Sequence, residues 1–225
     1  MDNRSGARTL YVTACTVLVA LRLGCDAAEL SVTVEDVTGK ALAGSVVIAE
    51  PGAAAPRVRA RAGLKAVMDQ RNLQFVPEVL IVQTGTAVEF PNSDQVRHQV
   101  YSFSAARKFE LGLYKGRTPA PVLFDKPGLV TLGCNIHDDM LAYIWVTDSP
   151  WFGISDALGA VHWHDLSPGD YTVRIWHPRL AESADELVQH VTVSEQAAGT
   201  VHLRLRHGLR PAPRRAGTDT RWDDY

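Results

Sequence analysis

Cysteine is scarce in this chain, with three in 225 residues. Cys15 and Cys25 fall in a leader-like first segment, so removal of that segment leaves Cys134 alone and excludes an intramolecular disulfide framework. Methionine is as rare, and beyond Met1 only Met68 and Met140 are left. No stretch keeps a helical period over three turns, which excludes a helix bundle. No apolar run reaches the roughly 20 residues that cross a bilayer as a helix. A large excess of either charge is missing as well: Lys and Arg number 23, Asp and Glu 25, and the net charge is -2. Nothing in the bulk charge points to nucleic acid or to an anionic membrane as partner.

What is present begins with the leader. Arg4 and Arg8 precede an apolar run from Leu10 to Ala20, Arg22 interrupts it, and the small residues GCDAA follow. This is the pattern of a secretory signal peptide over residues 1–28, cleaved after Ala27 or Ala28, and it sends the mature chain to the periplasm or another exported location. Leu-Gly-Cys at Cys25 offers a lipoprotein signal as the rival reading, against which the charge of Arg22 stands. In an oxidising compartment a cysteine normally has a disulfide partner. Cys134 has none, and is left as an intermolecular cross-linker, a buried inert thiol or a metal ligand.

Most of the chain reads as strands. LSVTVEDV, GSVVIAE, EVLIV, TAVEF, HQVYSF, LVTLG, LAYIWV, DYTVRIW, QHVTV and TVHLRLR are short apolar or β-branched runs. Between them stand TGK, QTG, PNSD, DKPG and SPGD, each with the Gly, Pro, Asn or Asp of a tight turn. The expected class is all-β, of sandwich type. PGAAAPRVRARAG, residues 51 to 63, reads as a connector, AESADEL as a short helix or loop, and residues 208–225 as a disordered tail without a packable apolar set.

Cys134 lies in LGCNIHDDML, where His137 stands three residues on and Met140 three beyond that. GLVTLGC is a strand ending at Cys134 and LAYIWV is the next strand, so NIHDDM is a tight loop whose side chains converge at one end of the sandwich. Cys134, His137 and Met140 can then share an ion, and His98, at the head of HQVYSF, is the candidate fourth ligand. A trigonal set of two imidazoles and a thiolate with a weak axial thioether is the blue-copper electron-transfer arrangement. Zinc fits less well, because structural zinc takes four strong thiolate or imidazole ligands. Each ligand has a plainer reading: Cys134 a buried thiol, His98 and His137 ordinary histidines, and Met140 core filler. VHWHDL puts His162 and His164 on one face of a strand, expected to look to solvent, and His177 in IWHP is expected to be structural.

VEFPNSDQVRHQVYSF followed by FDKPGLVTLGCNIHDDM resembles the two ligand-bearing segments of the cupredoxins, the plastocyanin and amicyanin group of small copper proteins. The loop spacing is like amicyanin's, and FELGLYKG with CNIHDDM resembles exported cupredoxin-domain proteins labelled methylamine-utilization proteins. The likeness spans roughly residues 64 to 148. It implies a Greek-key β-sandwich, one copper ion cycling between Cu(I) and Cu(II), and His98, Cys134, His137 and Met140 as its ligands, with Asn92 bracing the loop that leads to His98. Three departures stand out. Gly133 replaces an aromatic residue of many cupredoxins, Gln99 replaces Asn, and Asp138 replaces the Pro of amicyanin-like loops. Together they imply a site open to water at that edge.

LSVTVEDVTGKALAGSVVIAE and SDALGAVHWHDLSPGDYTVRIW are similar to early and late strands of a transthyretin-like or carboxypeptidase-regulatory-like β-sandwich, with TGKAL as a hairpin. That resemblance implies a discontinuous second sandwich, residues 29–60 plus 149–207, into which the cupredoxin domain, residues 61–148, is inserted; the simpler alternative gives the first two strands to the cupredoxin domain. The function expected is single-electron transfer between redox partners, without enzymatic turnover. Two other readings are a carrier or sensor that binds and releases copper, and a non-catalytic partner-binding sandwich. Tyr101, Phe103, Leu113 and Tyr114 are the expected apolar surround. Asp138 and Asp139 beside His137 call for a redox partner with a basic rim.

Overall fold

The computed structural model describes residues 28–52, 63–181, 187–195 and 198–212. The expected signal peptide up to residue 27, most of the expected connector, the middle of AESADEL and the chain from 213 onward lie outside the described residues. Seventeen strands and no helix make up what is described, and the chain is all-β.

Two apolar cores organise these strands. The first lies between the three-stranded sheet β14 (Ala160–Leu166), β1 (Ala28–Glu35), β17 (Gly199–Arg204) and the four-stranded sheet β13 (Trp151–Ile154), β2 (Val46–Pro51), β15 (Gly169–Trp176), β16 (Val188–Val193). In β1 the alternation dictates the faces. Leu30, Val32 and Val34 are buried, while Glu29, Ser31 and Thr33 look outward. Each such aliphatic side chain contributes about 1.5–3 kcal/mol on burial. TGKAL is a turn but not the hairpin its flanks suggest. Asp36 accepts the N–H groups of Thr38 and Lys40 on its carboxylate, and beyond a single bridge between Glu35 and Ala41 the strands part company. β1 pairs with β14 and β17, whereas β2 pairs with β13 and β15. The apolar faces of β1 and β2 thus meet across the core from opposite sheets.

The second core belongs to residues 66–146. A five-stranded sheet runs in the order β6 (Val79–Gln83), β12 (Leu141–Thr147), β11 (Gly128–Gly133), β8 (His98–Ser102), β9 (Phe109–Tyr114). A three-stranded sheet runs β10 (Val122–Phe124), β7 (Thr86–Glu89), β3 (Lys65–Val67). A small hairpin, β4 (Asp69–Arg71) and β5 (Gln74–Val76), sits beside them. Val88, Phe90, Val100, Phe124, Val130, Leu132 and Ile144 are fully or almost fully buried together.

LAYIWV is apolar throughout because β12 is covered on both faces. Ala142, Ile144 and Val146 point into the second core. Tyr143 and Trp145 pack against the first, where their rings lie 5.0 and 5.6 Å from that of Trp176. Ile81 and Leu129 join them on that face. The chain leaves the first core at Pro51 and returns beside it, since β2 and β13 are antiparallel neighbours with Trp151 opposite Ala49. Ser149 fixes the return by donating its hydroxyl to the Ala49 carbonyl at 2.5 Å. Residues 208–212, counted with the disordered tail in the sequence, are held instead: Leu209 packs on the first core and the Arg210 N–H donates to the Arg179 carbonyl.

Candidate metal centre

Gly133, the last residue of β11, pairs with Leu141, the first of β12, so residues 134–140 form a closed loop at the sheet's end. Its turn is fastened by the Met140 N–H donating to the His137 carbonyl at 3.0 Å. β8 runs antiparallel to β11 with Tyr101 opposite Gly133. That register carries the head of β8, and His98 with it, past the end of β11 to the same loop. Two strands and one turn therefore deliver the ligand-type side chains to one point.

The donor atoms converge. His98 Nδ1 lies 3.1 Å from His137 Nδ1, His137 Nδ1 lies 3.6 Å from Cys134 Sγ, and the three donors all fall within 4.8 Å of one another. Two nitrogens about 2.0–2.1 Å from a shared first-row ion, and a sulfur about 2.3 Å from it, have separations of this size. The set fits a metal without rearrangement. His98 is fully buried and Cys134 is 3% exposed, while His137 is half-buried at the rim. Burial, and then the neighbouring His98, hold the His137 imidazole below its ordinary pKa, which keeps it neutral and able to donate a lone pair. Met140 is buried in the same apolar cluster as Cys134.

A polar frame carries His98. Its Nε2 lies 2.7 Å from Asp94 Oδ2, an oxygen that can only accept from it, and its Nδ1 faces the other donors. Asn92 braces the approach: its Nδ2 donates to the carbonyls of Val96 and Tyr114 at 3.0 Å each, and its Oδ1 accepts the Asp94 N–H at 2.9 Å. Tyr114, opposite His98 on β9, donates its hydroxyl to the Phe90 carbonyl and accepts from Gln70. Burial pushes that phenol up to about 12, with the Gln70 hydrogen bond opposing and the charges of Asp69 and Cys134 adding to the rise.

The structure brings His98, Cys134 and His137 together and buries Met140 in the same core as Cys134. The other expectations sort differently. Tyr114 is committed inward by its hydrogen bonds, whereas Leu113 and Phe103 are exposed. Tyr101 lies over Gly133, where an added Cβ would stand 2.7 Å from Cζ and the hydroxyl of the phenol. The opening expected at Gly133 is filled at that point by an aromatic ring supplied from the neighbouring strand. Asp138 and Asp139 are exposed, and so is Ile136, which the sequence did not single out. His162 and His164 are exposed and bonded to Ser31 and Glu29. His177 is buried beside the turn after β15. Among the described residues the His98, Cys134 and His137 group is the one cluster with metal-ligand geometry. Asp94 and Gln70 were missed. Asp94 left a signal, a carboxylate four residues before a histidine, but within PNSD it reads as a turn residue.

No protein-family model matches the chain, and no curated protein matches it in sequence. Parts of solved copper proteins are similar. A Cu-containing nitrite reductase from Thermus scotoductus SA-01 matches at 24% identity over 43% of this chain and 27% of its own, with a TM-score of 0.35. Amicyanin in a reduced Cu(I) form matches at 20% identity over 39% of this chain and 85% of its own, with a TM-score of 0.33. A purple cupredoxin from Nitrosopumilus maritimus matches at 19% identity over 37% of this chain and 99% of its own, with a TM-score of 0.31. The chain thus spans about a quarter of the nitrite reductase and most of each small cupredoxin.

Proposed function

We propose that this chain is an exported protein with one blue-type copper site, which carries single electrons between redox partners. The observation that carries the reading is the convergence of His98 Nδ1, His137 Nδ1 and Cys134 Sγ within 4.8 Å. Two imidazoles and one thiol form the donor set that favours copper over the hard cations. Copper bound there supplies a Cu(I)/Cu(II) couple. Cys134, as the thiolate, gives the most covalent link between the site and β11. His98, buried and bonded through its far nitrogen, is held in place, so the donor positions need not move between redox states. His137 is the half-exposed member and offers the imidazole edge through which an electron leaves toward a partner. Met140, buried in the same core as Cys134, would be the weak thioether donor that tunes the potential.

The partner we propose is a redox protein with a basic rim, because Asp138 and Asp139, the two acidic residues of the loop, are exposed directly after His137. The exposed Ile136 on the other side of His137 gives that face an apolar element. We further propose that residues 29–60 with 149–207 are a transthyretin-like module holding the copper sandwich, residues 61–148, as an insertion. Export to the periplasm rests on the leader at residues 1–28.

The test is the optical and electron paramagnetic resonance spectrum of the protein with one equivalent of Cu(II), beside the Cys134→Ser variant. An intense thiolate-to-copper band that bleaches on reduction, returns on oxidation and is missing from the variant is the expected result. Irreversible loss of copper on reduction would make the protein a carrier of the ion instead of the electron. No band in either protein would leave Cys134 a buried thiol.

A further inference from the structure

Asp94 is placed where a turn and a ligand meet. Its Oδ2 accepts two hydrogen bonds, from His98 Nε2–H at 2.7 Å and from the Leu73 N–H at 3.0 Å, and its Oδ1 accepts the Asn72 N–H. Asn72 and Leu73 form the two-residue turn between β4 and β5, and both have left-handed backbones, with φ of 52° and 57°. A left-handed Leu is costly, by roughly 1–2 kcal/mol, and the two amides that this turn leaves without ladder partners are the ones Asp94 caps. The carboxylate is itself set by Asn92, whose Oδ1 accepts the Asp94 N–H. Its lone pairs are thus directed by three donors, of which only one is the imidazole.

An imidazole at a metal needs one nitrogen bare, and neutral histidine chooses between two tautomers. With Nε2–H given to a carboxylate, Nδ1 is the bare nitrogen. That nitrogen faces His137 Nδ1 at 3.1 Å inside the donor cluster. His98 has no water to correct a wrong choice, because it is fully buried. We propose that Asp94 is a positioning residue for the metal centre, which holds His98 in the Nε2–H tautomer and ties the ring to the β4–β5 turn, so that the donor set is built before metal arrives. The proposal rests on the copper reading for its purpose, but the tautomer it assigns is a property of the metal-free protein.

The experiment is long-range proton–nitrogen correlation of the histidine side chains in the metal-free full chain, for wild type, Asp94→Ala and Asp94→Asn, followed by Cu(II) and Zn(II) titration of each. Because Asp94 also caps the turn, the same variants are made with Leu73→Gly, which takes the left-handed conformation without a cap. Wild type is expected to show His98 as the Nε2–H tautomer. Asp94→Ala should move His98 to a mixture or to the Nδ1–H form and weaken metal binding about 10–100-fold, and it should do so in the Leu73→Gly background too. Asp94→Asn, which keeps one acceptor oxygen, should recover part of both. An unchanged tautomer in Asp94→Ala overturns the proposal, even where metal affinity falls, since the carboxylate then acts only through the fold. A wild-type protein that binds neither metal would sink the copper reading, while the tautomer comparison would still decide the role of Asp94.

Discussion

His177 makes the protein's stability depend on pH in a direction that can be worked out beforehand. It follows Trp176 at the end of β15, is 8% exposed, and its Nδ1 accepts the Arg179 N–H at 3.1 Å. A protonated ring has no lone pair for that bond. Burial first, and the charge of Arg179 second, bring its pKa down to about 4 from an ordinary 6.5. The folded state therefore binds fewer protons than the unfolded chain once the pH falls below about 6.5. The stability concerned is fully present above that pH, is lost as pH drops toward 4, and falls no further below it. Linkage over that interval gives a loss of about 2 kcal/mol at pH 5 and a ceiling of about 3 kcal/mol. Asparagine keeps an acceptor near the place of Nδ1 and cannot titrate. Urea unfolding of metal-free wild type and His177→Asn near pH 7.5 and near pH 5 measures the difference, and contributions of His98, His137 and the exposed histidines are common to both proteins. Wild type should lose about 2 kcal/mol more than the variant on acidification. Equal losses in the two would refute a neutral, acceptor His177.

Gly133→Phe should cost about 1–3 kcal/mol, because any Cβ there meets the Tyr101 ring at 2.7 Å. Tyr101→Ala in the same chain should return most of it, and thermal unfolding that shows no such rescue would put the ring elsewhere. Asn92→Ala removes three hydrogen bonds, to Val96, Tyr114 and Asp94. At about 1 kcal/mol each, a loss of about 2–3 kcal/mol in denaturant unfolding is expected, and a loss under half that would mean the loop holds itself. Trp176→Ala should destabilise by about 3–5 kcal/mol and remove near-ultraviolet dichroism arising from its packing with Tyr143 and Trp145. A near-ultraviolet spectrum kept intact would contradict that aromatic junction.

Strands with one buried face were legible because their side chains alternate. LSVTVE, HQVYS and DYTVRIW read directly as β1, β8 and β15. Strands that escaped notice are short or unpatterned. Lys65–Val67, Gln74–Val76 and Val122–Phe124 span three residues each, too few for a period. Phe109–Tyr114 has no fully buried side chain, and Gly153 interrupts WFGI. The same contrast holds at the site. Cys134, His137 and Met140 sit on one local loop, so spacing alone joined them. His98 required the inference that two strands are neighbours. Asp94 acts across more than 20 residues of chain on Asn72 and Leu73, and no local pattern reports such a bond. Gly133 misleads for a related reason. The aromatic ring missing from its own position comes from Tyr101, across the ladder.

The arrangement of the two cores also follows from where the chain crosses between them. Strands β2 and β13 are antiparallel neighbours, so the first core treats all that lies between Pro51 and Trp151 as the loop of one long hairpin. A loop's entropy cost grows only slowly with its length, and a loop that buries a core of its own recovers far more than that. The fit is not merely tolerated. Tyr143 and Trp145 of β12 are turned toward Trp176, and Ile81 and Leu129 pack on the same core. The sheet that ends in the His98, Cys134 and His137 cluster is thereby clamped on both faces. Since β11 and β12 hold Gly133 and Leu141 paired at the two ends of the ligand loop, with Cys134 directly after Gly133, rigidity of their sheet passes directly to the spacing of the donors. A site of the kind we propose, whose ligands would hold one geometry in two redox states, gains from such support. The first core thus steadies the donor cluster without lending it a side chain.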